Sequence, residues 1–197
     1  LPAITTICSR NHARETRVAA DPAEREKIWH GRKSAFGAMG RVSSNYYVQD
    51  GVIPRTHLPA VIAEVEEIAR RYGLLIANVF HAGDGNLHPL ISFDEERPGD
   101  LEKAIAAGAD ILRACVRHGG SISGEHGIGI EKRDCMSVQF APPDLALMAS
   151  LKHAFNAAGL CNPAKIFPTS RRCGESARTL QSGALPEAVA TAAGQAF

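Results

Sequence analysis

Apolar positions recur along this chain in blocks whose spacing alternates between helical and extended. Asp21-Pro22-Ala23-Glu24 opens a helix: Asp21 can cap, Pro22 suits the first helical position, and Glu24 completes a capping-box pattern. Ile28, Arg32, Lys33 and Phe36 follow at helical spacing, and Gly37 and Gly40 end the stretch. Residues 46–49 predict a strand, Asp50-Gly51 a turn, and Val52-Ile53 more strand as far as Pro54. A second helix is predicted from Pro59, with Val61, Val65, Ile68 and Ala69 as its apolar stripe and Gly73 as its stop. Residues 74–80 and 87–93 read as two strands. The dense turn signal Ala82-Gly83-Asp84-Gly85-Asn86 lies between them, so the pair is expected to form a hairpin.

A third helix begins near Pro98 and Asp100, its stripe being Leu101, Ile105, Leu112 and Cys115 or Val116, and Gly119-Gly120 close it. Residues 121–129 are short and glycine-rich. A fourth helix follows Pro142-Pro143, with Leu145, Met148, Leu151 and Phe155 expected inward and Gly159 as its stop. Strand, helix, hairpin, helix, strand and helix in this order favour an α+β fold, an antiparallel sheet with helices packed on one face. Residues 1–170 are expected to form one domain. Residues 171–197, rich in Ala, Gly, Ser and Arg, are expected to be a loosely attached tail with a short helix near residues 186–193.

Composition narrows the function classes. Hydrophobic residues make up 45% and charged residues 22%, as in a folded globular chain. A net charge of +1 gives no general drive toward nucleic acid. No apolar run approaches the roughly 20 residues that span a bilayer. The start lacks the features of a secretory signal, and Leu1 in place of Met suggests a piece of a longer chain. Cys8, Cys115, Cys135, Cys161 and Cys173 are odd in number and form no Cys-x-x-Cys, so a thiolate metal site or disulfide framework is not expected. No phosphate-binding loop motif occurs.

Two segments carry chemistry. In residues 78–89, His81 would end one strand of the hairpin and His88 open the next, with Asp84 and Asn86 setting the turn. Facing positions across a strand pair lie about 4.5–5.5 Å apart, near enough for both imidazoles to hold one metal ion. In residues 119–129, five glycines surround Glu125-His126. Extended chain would send those two side chains to opposite faces, but a glycine-rich turn lets both line one cavity. Glu125 can then be the third member of a two-His, one-carboxylate set with open positions, with His126 free as a general base or acid; the alternative is a helix-to-strand connection carrying an exposed Glu-His pair. Arg32 can grip a carboxylate in two-pronged fashion. His12, His30, His57, His118 and His153 have no partner visible in the sequence.

The runs 81–89 (HAGDGNLHP), 121–129 (SISGEHGIG) and 160–165 (LCNPAK) resemble the C-terminal domain of FAD-linked 2-hydroxyacid oxidases and dehydrogenases, a family that includes D-lactate and D-2-hydroxyglutarate dehydrogenases. The runs 31–36 (GRKSAF) and 46–55 (YYVQDGVIPR), with Asn78-Val79-Phe80, make it most like the bacterial glycolate oxidase FAD-linked subunit. The resemblance implies an α+β cap over a separate N-terminal FAD-binding domain, which this sequence does not contain. It also implies divalent metal ligands at His81, His88 and Glu125, a substrate base and contact at His126, a carboxylate-binding Arg32, and a cofactor contact at Asn162.

The implied chemistry is FAD-dependent oxidation of a small 2-hydroxy acid, glycolate or D-lactate, assisted by Zn, Mn or Fe. Arg55 and Leu90 are candidates for shaping the pocket. The implied partners are the chain's own N-terminal FAD domain, a second flavin-type subunit and an iron–sulfur subunit. The implied place is the cytoplasm, or the periphery of the inner membrane. The fragment by itself is expected to be inactive. Two alternatives stay open: an isolated non-catalytic cap or subunit-docking module, and a metal-dependent hydrolase.

Overall fold

The structure is a computed structural model that describes residues 1–168, so the expected tail and its helix lie outside the described residues. The described residues form seven α-helices and five short strands, an α+β architecture. They fall into two compact units, Leu1–Val42 and Ser43 onward.

The first unit is three helices, α1 (Pro2–Arg10), α2 (Pro22–Lys33) and α3 (Ala35–Met39). The α2 start follows its sequence signal: the Asp21 carboxylate accepts the Glu24 amide N–H at 2.7 Å. Glu24 in turn accepts the Ala20 amide at 2.9 Å. The single helix expected through Phe36 is broken at Ser34, and α1 carried no cap signal that singled it out. None of these helices buries a residue.

In the second unit, β1 (Asn45–Val48), β3 (Ile76–Asn78) and β5 (Pro89–Phe93) form an antiparallel sheet in the order β1-β5-β3. Strands β2 (Gly51–Val52) and β4 (Asn86–Leu87) form a second antiparallel pair. Helices α4 (Leu58–Tyr72) and α5 (Asp100–Arg117) pack against each other and onto the three-stranded sheet. The α4 stripe is the expected one, with Val61, Val65 and Ile68 buried.

The α5 stripe is the expected one only toward its end, where Leu112 and Cys115 are buried. Leu101 and Ile105 are exposed, and Ala104, Ala107, Gly108, Ile111 and Cys115 face the core. Small residues let α5 come close to the sheet: a Cβ on Gly108 would lie 2.9 Å from the Tyr47 ring. Leu90, fully buried on β5, belongs to the packed interior and cannot wall an open pocket.

A second, smaller core gathers Leu112, Ile122, Cys135 and Met136, the last opening α6 (Met136–Gln139). Helix α7 (Pro142–Phe155) lays Leu145 and Met148 on it. Leu151 and Phe155, expected inward, are 61% and 87% exposed. The α7 residues packed on the small core are Leu145 and Met148, and Leu151 and Phe155 follow them along the helix. No helix among the described residues is long and apolar enough to cross a membrane.

Candidate metal centre

The expected hairpin is present, and its register differs in one respect from the simplest reading. His81 pairs with Asn86, and the His81 amide donates to the Asn86 carbonyl at 2.9 Å. The Val79 amide donates to the His88 carbonyl at 3.2 Å. His81 and His88 are therefore diagonal neighbours on one face, not direct partners. Diagonal positions still suffice for long side chains, and the two rings meet edge to face with centroids 5.4 Å apart. Asn86, expected to set the turn, instead sits in β4 paired with Val52.

Strand β2 joins the hairpin to the glycine-rich segment. Val52 pairs with Asn86 on one side and with Ser121 on the other, where amide and carbonyl exchange bonds of 3.0 and 2.8 Å. This brings residues 121–126 alongside β4. Gly124 passes so close that a Cβ would lie 2.5 Å from the Asn86 side-chain oxygen. Glycine is the residue that permits that approach.

The result is convergence. The His88 Nε2 lies 2.9 Å from a Glu125 carboxylate oxygen, and the His81 Nε2 lies 3.9 Å from the same oxygen. Donor atoms of His81, His88 and Glu125 all lie within 4.8 Å of one another, the only such set of three or more His, Cys, Asp or Glu among the described residues. His126 stacks on the His88 ring with centroids 5.0 Å apart and planes 14° apart. The His88 side chain is 5% exposed, whereas those of His81 and Glu125 are about half exposed. One candidate donor is thus anchored in the interior and the other two border solvent.

This donor set fits a divalent ion. Nitrogen and oxygen ligands sit about 2.0–2.2 Å from zinc, so two donors to one ion are at most about 4.4 Å apart. Small side-chain shifts would bring the three donor atoms, now within 4.8 Å of one another, within that span. Two imidazoles and one carboxylate suit Zn, Mn or Fe and leave positions for another ligand.

The residue that sequence reasoning missed is Asp50, read there as part of a turn. Its side chain is fully buried. Its Oδ2 accepts the amides of Gly124, Glu125 and His126 at 3.0, 3.1 and 2.9 Å, and the Ser123 hydroxyl at 3.0 Å. The buried Lys132 Nζ stands 3.0 Å from Oδ2 and 2.6 Å from the Asp50 carbonyl oxygen. Burial raises the Asp50 pKa, but the His126 amide, the Lys132 ammonium and the Ser123 hydroxyl outweigh it. The carboxyl is held well below the ordinary range. The one available signal was the Asp-Gly step following a strand, which is equally a turn signal.

Arg32 lies in the last turn of α2, within the first unit, whereas His81, His88 and Glu125 all belong to the second. Asn162 lies on a loop after α7 whose Ile166 amide donates to the Gly129 carbonyl at 2.8 Å, and it has a left-handed backbone with φ of 48°. Arg55 lies in a single 3₁₀ turn, Arg55–His57, just after the Ile53 amide that bonds the hairpin at Gly85. His57 and His118, which showed no partner in the sequence, meet with their Nδ1 atoms 3.0 Å apart. The His118 Nε2 lies 3.3 Å from Glu64, which Arg117 also contacts.

The family model described as "FAD linked oxidases, C-terminal domain" matches residues 1–166. The chain is 47% identical over 184 residues to the glycolate oxidase subunit GlcD of Escherichia coli K12, covering 93% of this chain and 37% of that protein. It is 30% identical to the GlcD subunit of Bacillus subtilis, over 86% of this chain and 36% of that one. It is 29% identical to the mitochondrial D-lactate dehydrogenase [cytochrome] of Kluyveromyces lactis, over 83% and 29%. The chain thus spans between 29% and 37% of the length of these curated relatives. It belongs to the family of FAD-linked oxidase C-terminal domains.

Proposed function

We propose that this chain is the substrate- and metal-binding part of a flavoprotein that oxidises a small 2-hydroxy acid, glycolate or D-lactate, to the 2-oxo acid. The observation that carries the reading is the convergence of His81, His88 and Glu125, with His126 stacked beside them on the solvent-facing side. The names of the relatives supply the substrate class. When bound, the divalent ion would polarise the substrate hydroxyl, and FAD would take up the C2 hydrogen with its electron pair.

The remaining work falls to the chain. His81, His88 and Glu125 hold the ion, and Glu125 contributes the negative charge of the set. Arg32 binds the substrate carboxylate and fixes its orientation. His126 accepts the hydroxyl proton on a ring nitrogen, which suits a group whose ordinary pKa lies near neutrality. Asn162 contacts the cofactor. The proposed partners are an N-terminal FAD domain and, because two of the relatives are named as subunits, a second flavin-type subunit and an iron–sulfur subunit. The cytoplasm, or the inner-membrane surface beside those partners, is the proposed location.

The test is His126→Ala in the full-length flavoprotein, assayed over a panel of 2-hydroxy acids together with metal analysis. Turnover is expected to fall by ~10²–10⁴ with metal content retained. Near-normal turnover removes His126 from the proton-accepting role. Full activity in protein free of divalent metal removes the ion.

A further inference from the structure

Glu125 and His126 are successive residues that both face the hairpin histidines, which extended chain does not allow. The backbone achieves it by curling, so that three consecutive amides, those of Gly124, Glu125 and His126, point at one spot. Such a concave row of N–H groups is an anion-binding nest, and in this chain the anion is internal. Asp50 fills the nest with a single oxygen, and the Ser123 hydroxyl adds a fourth donor. Lys132 reaches the same oxygen from the far end of the segment and also lies 3.3 Å from the Ser123 hydroxyl. Ser123 Oγ further accepts the Gly127 amide at 2.9 Å. The glycine-rich segment is therefore gripped at its start and at its end, and Asp50 meets Glu125 and His126 at their backbone amides.

We propose that Asp50 and Lys132 form a positioning clasp that sets the affinity of the His81–His88–Glu125 site for its divalent ion by fixing the backbone from Gly124 to His126. The inference rests on the reading of that cluster as an ion site. Its content is that the pair acts on ligand placement rather than on stability. A buried ion pair replaced as a unit by uncharged groups of similar size is often neutral in stability. Outer-shell support of metal ligands, by contrast, is worth 10–100-fold in affinity.

The discriminating variant is D50N/K132M, made in the intact protein, which removes both charges together and nearly preserves volume. Three readouts apply: calorimetric titration with Zn²⁺, amide hydrogen exchange, and the thermal unfolding midpoint. The expected result is a 10–100-fold loss of Zn²⁺ affinity, with faster exchange at the Gly124, Glu125 and His126 amides. The midpoint and the protection of the core amide of Ile91 are expected to stay unchanged.

Should the double variant fail to fold, Ser123→Ala decides the matter. It removes one hydroxyl from the clasp and is expected to weaken Zn²⁺ binding about 5-fold, the factor one ordinary hydrogen bond carries. His88→Ala separates the two ideas. Zn²⁺ binding that survives His88→Ala overturns the ion-site reading and, with it, the affinity claim. Binding abolished by His88→Ala but retained in full by folded D50N/K132M, or by Ser123→Ala where the double variant does not fold, overturns the clasp.

Discussion

Two groups in the second unit have the same composition, two histidines and a glutamate, and they are built for different ends. In His81, His88 and Glu125 the donor atoms converge to within 4.8 Å. In His57, His118 and Glu64 they run in a line: the His118 Nδ1 faces the His57 Nδ1 at 3.0 Å, while its Nε2 faces Glu64 at 3.3 Å. A neutral imidazole has one donor and one acceptor nitrogen, so His118 has both nitrogens engaged and none to offer an ion. Glu64 is also neutralised by Arg117. Residue types at a site do not define its chemistry; the direction of their lone pairs does. The two groups also differ in support. The first is fixed by a strand register and by a buried carboxylate beneath a glycine-rich loop, whereas the second joins a 3₁₀ turn, α4 and the end of α5 through exposed or half-exposed side chains.

The largest effect tests that support. Asp50→Ala leaves Lys132 buried without its counter-charge, and breaking a buried pair from one side costs about 3–5 kcal/mol. Urea unfolding measures it, and a loss under about 1 kcal/mol, the worth of a surface pair, would place the two groups on an equal footing. The pH dependence has a fixed sign. The Asp50 carboxyl titrates below its ordinary value in the fold, so its contribution is complete above the unfolded pKa of about 3.9. It drains away as pH falls toward the folded pKa. Acid unfolding curves are expected to show this loss below about pH 4, and D50N/K132M to lack it.

Next in size is ligand removal. Glu125→Ala or His88→Ala is expected to weaken Zn²⁺ binding by about 100-fold or more, beyond the usual range of outer-shell changes. His57→Ala is expected to leave it unchanged, and comparable losses from both groups in calorimetric titration would erase the distinction drawn above. The smallest effect belongs to the second group. His118→Ala removes contacts of the exposed or half-exposed kind, expected to cost about 0–1 kcal/mol. A larger loss in thermal unfolding would show that the line of His57, His118 and Glu64 holds the unit together.

Where a signal is local, the chain announced it. The Asp21 cap, the α4 stripe of Val61, Val65 and Ile68, and the turn between His81 and His88 each depend on residues within one or two turns of one another. Leu101 and Ile105 misled because hydrophobic spacing marks an apolar face without saying how close the sheet will come. Proximity favoured the strip of alanines and Gly108 instead. Leu151 and Phe155 misled because periodicity continues past the point where a small core ends. His57 and His118, sixty-one residues apart, could not be paired from spacing at all.

The sequence by itself determined the α+β class, the Asp21 cap and the hairpin, because these follow from backbone preference and side-chain chemistry over short distances. Tertiary structure alone decided that Val52 would lie between Asn86 and Ser121. It alone decided that Asp50 would turn inward beneath Glu125 and His126. The reason is physical: a buried carboxylate is tolerable only where donors surround it, and these donors come from more than seventy residues further along the chain.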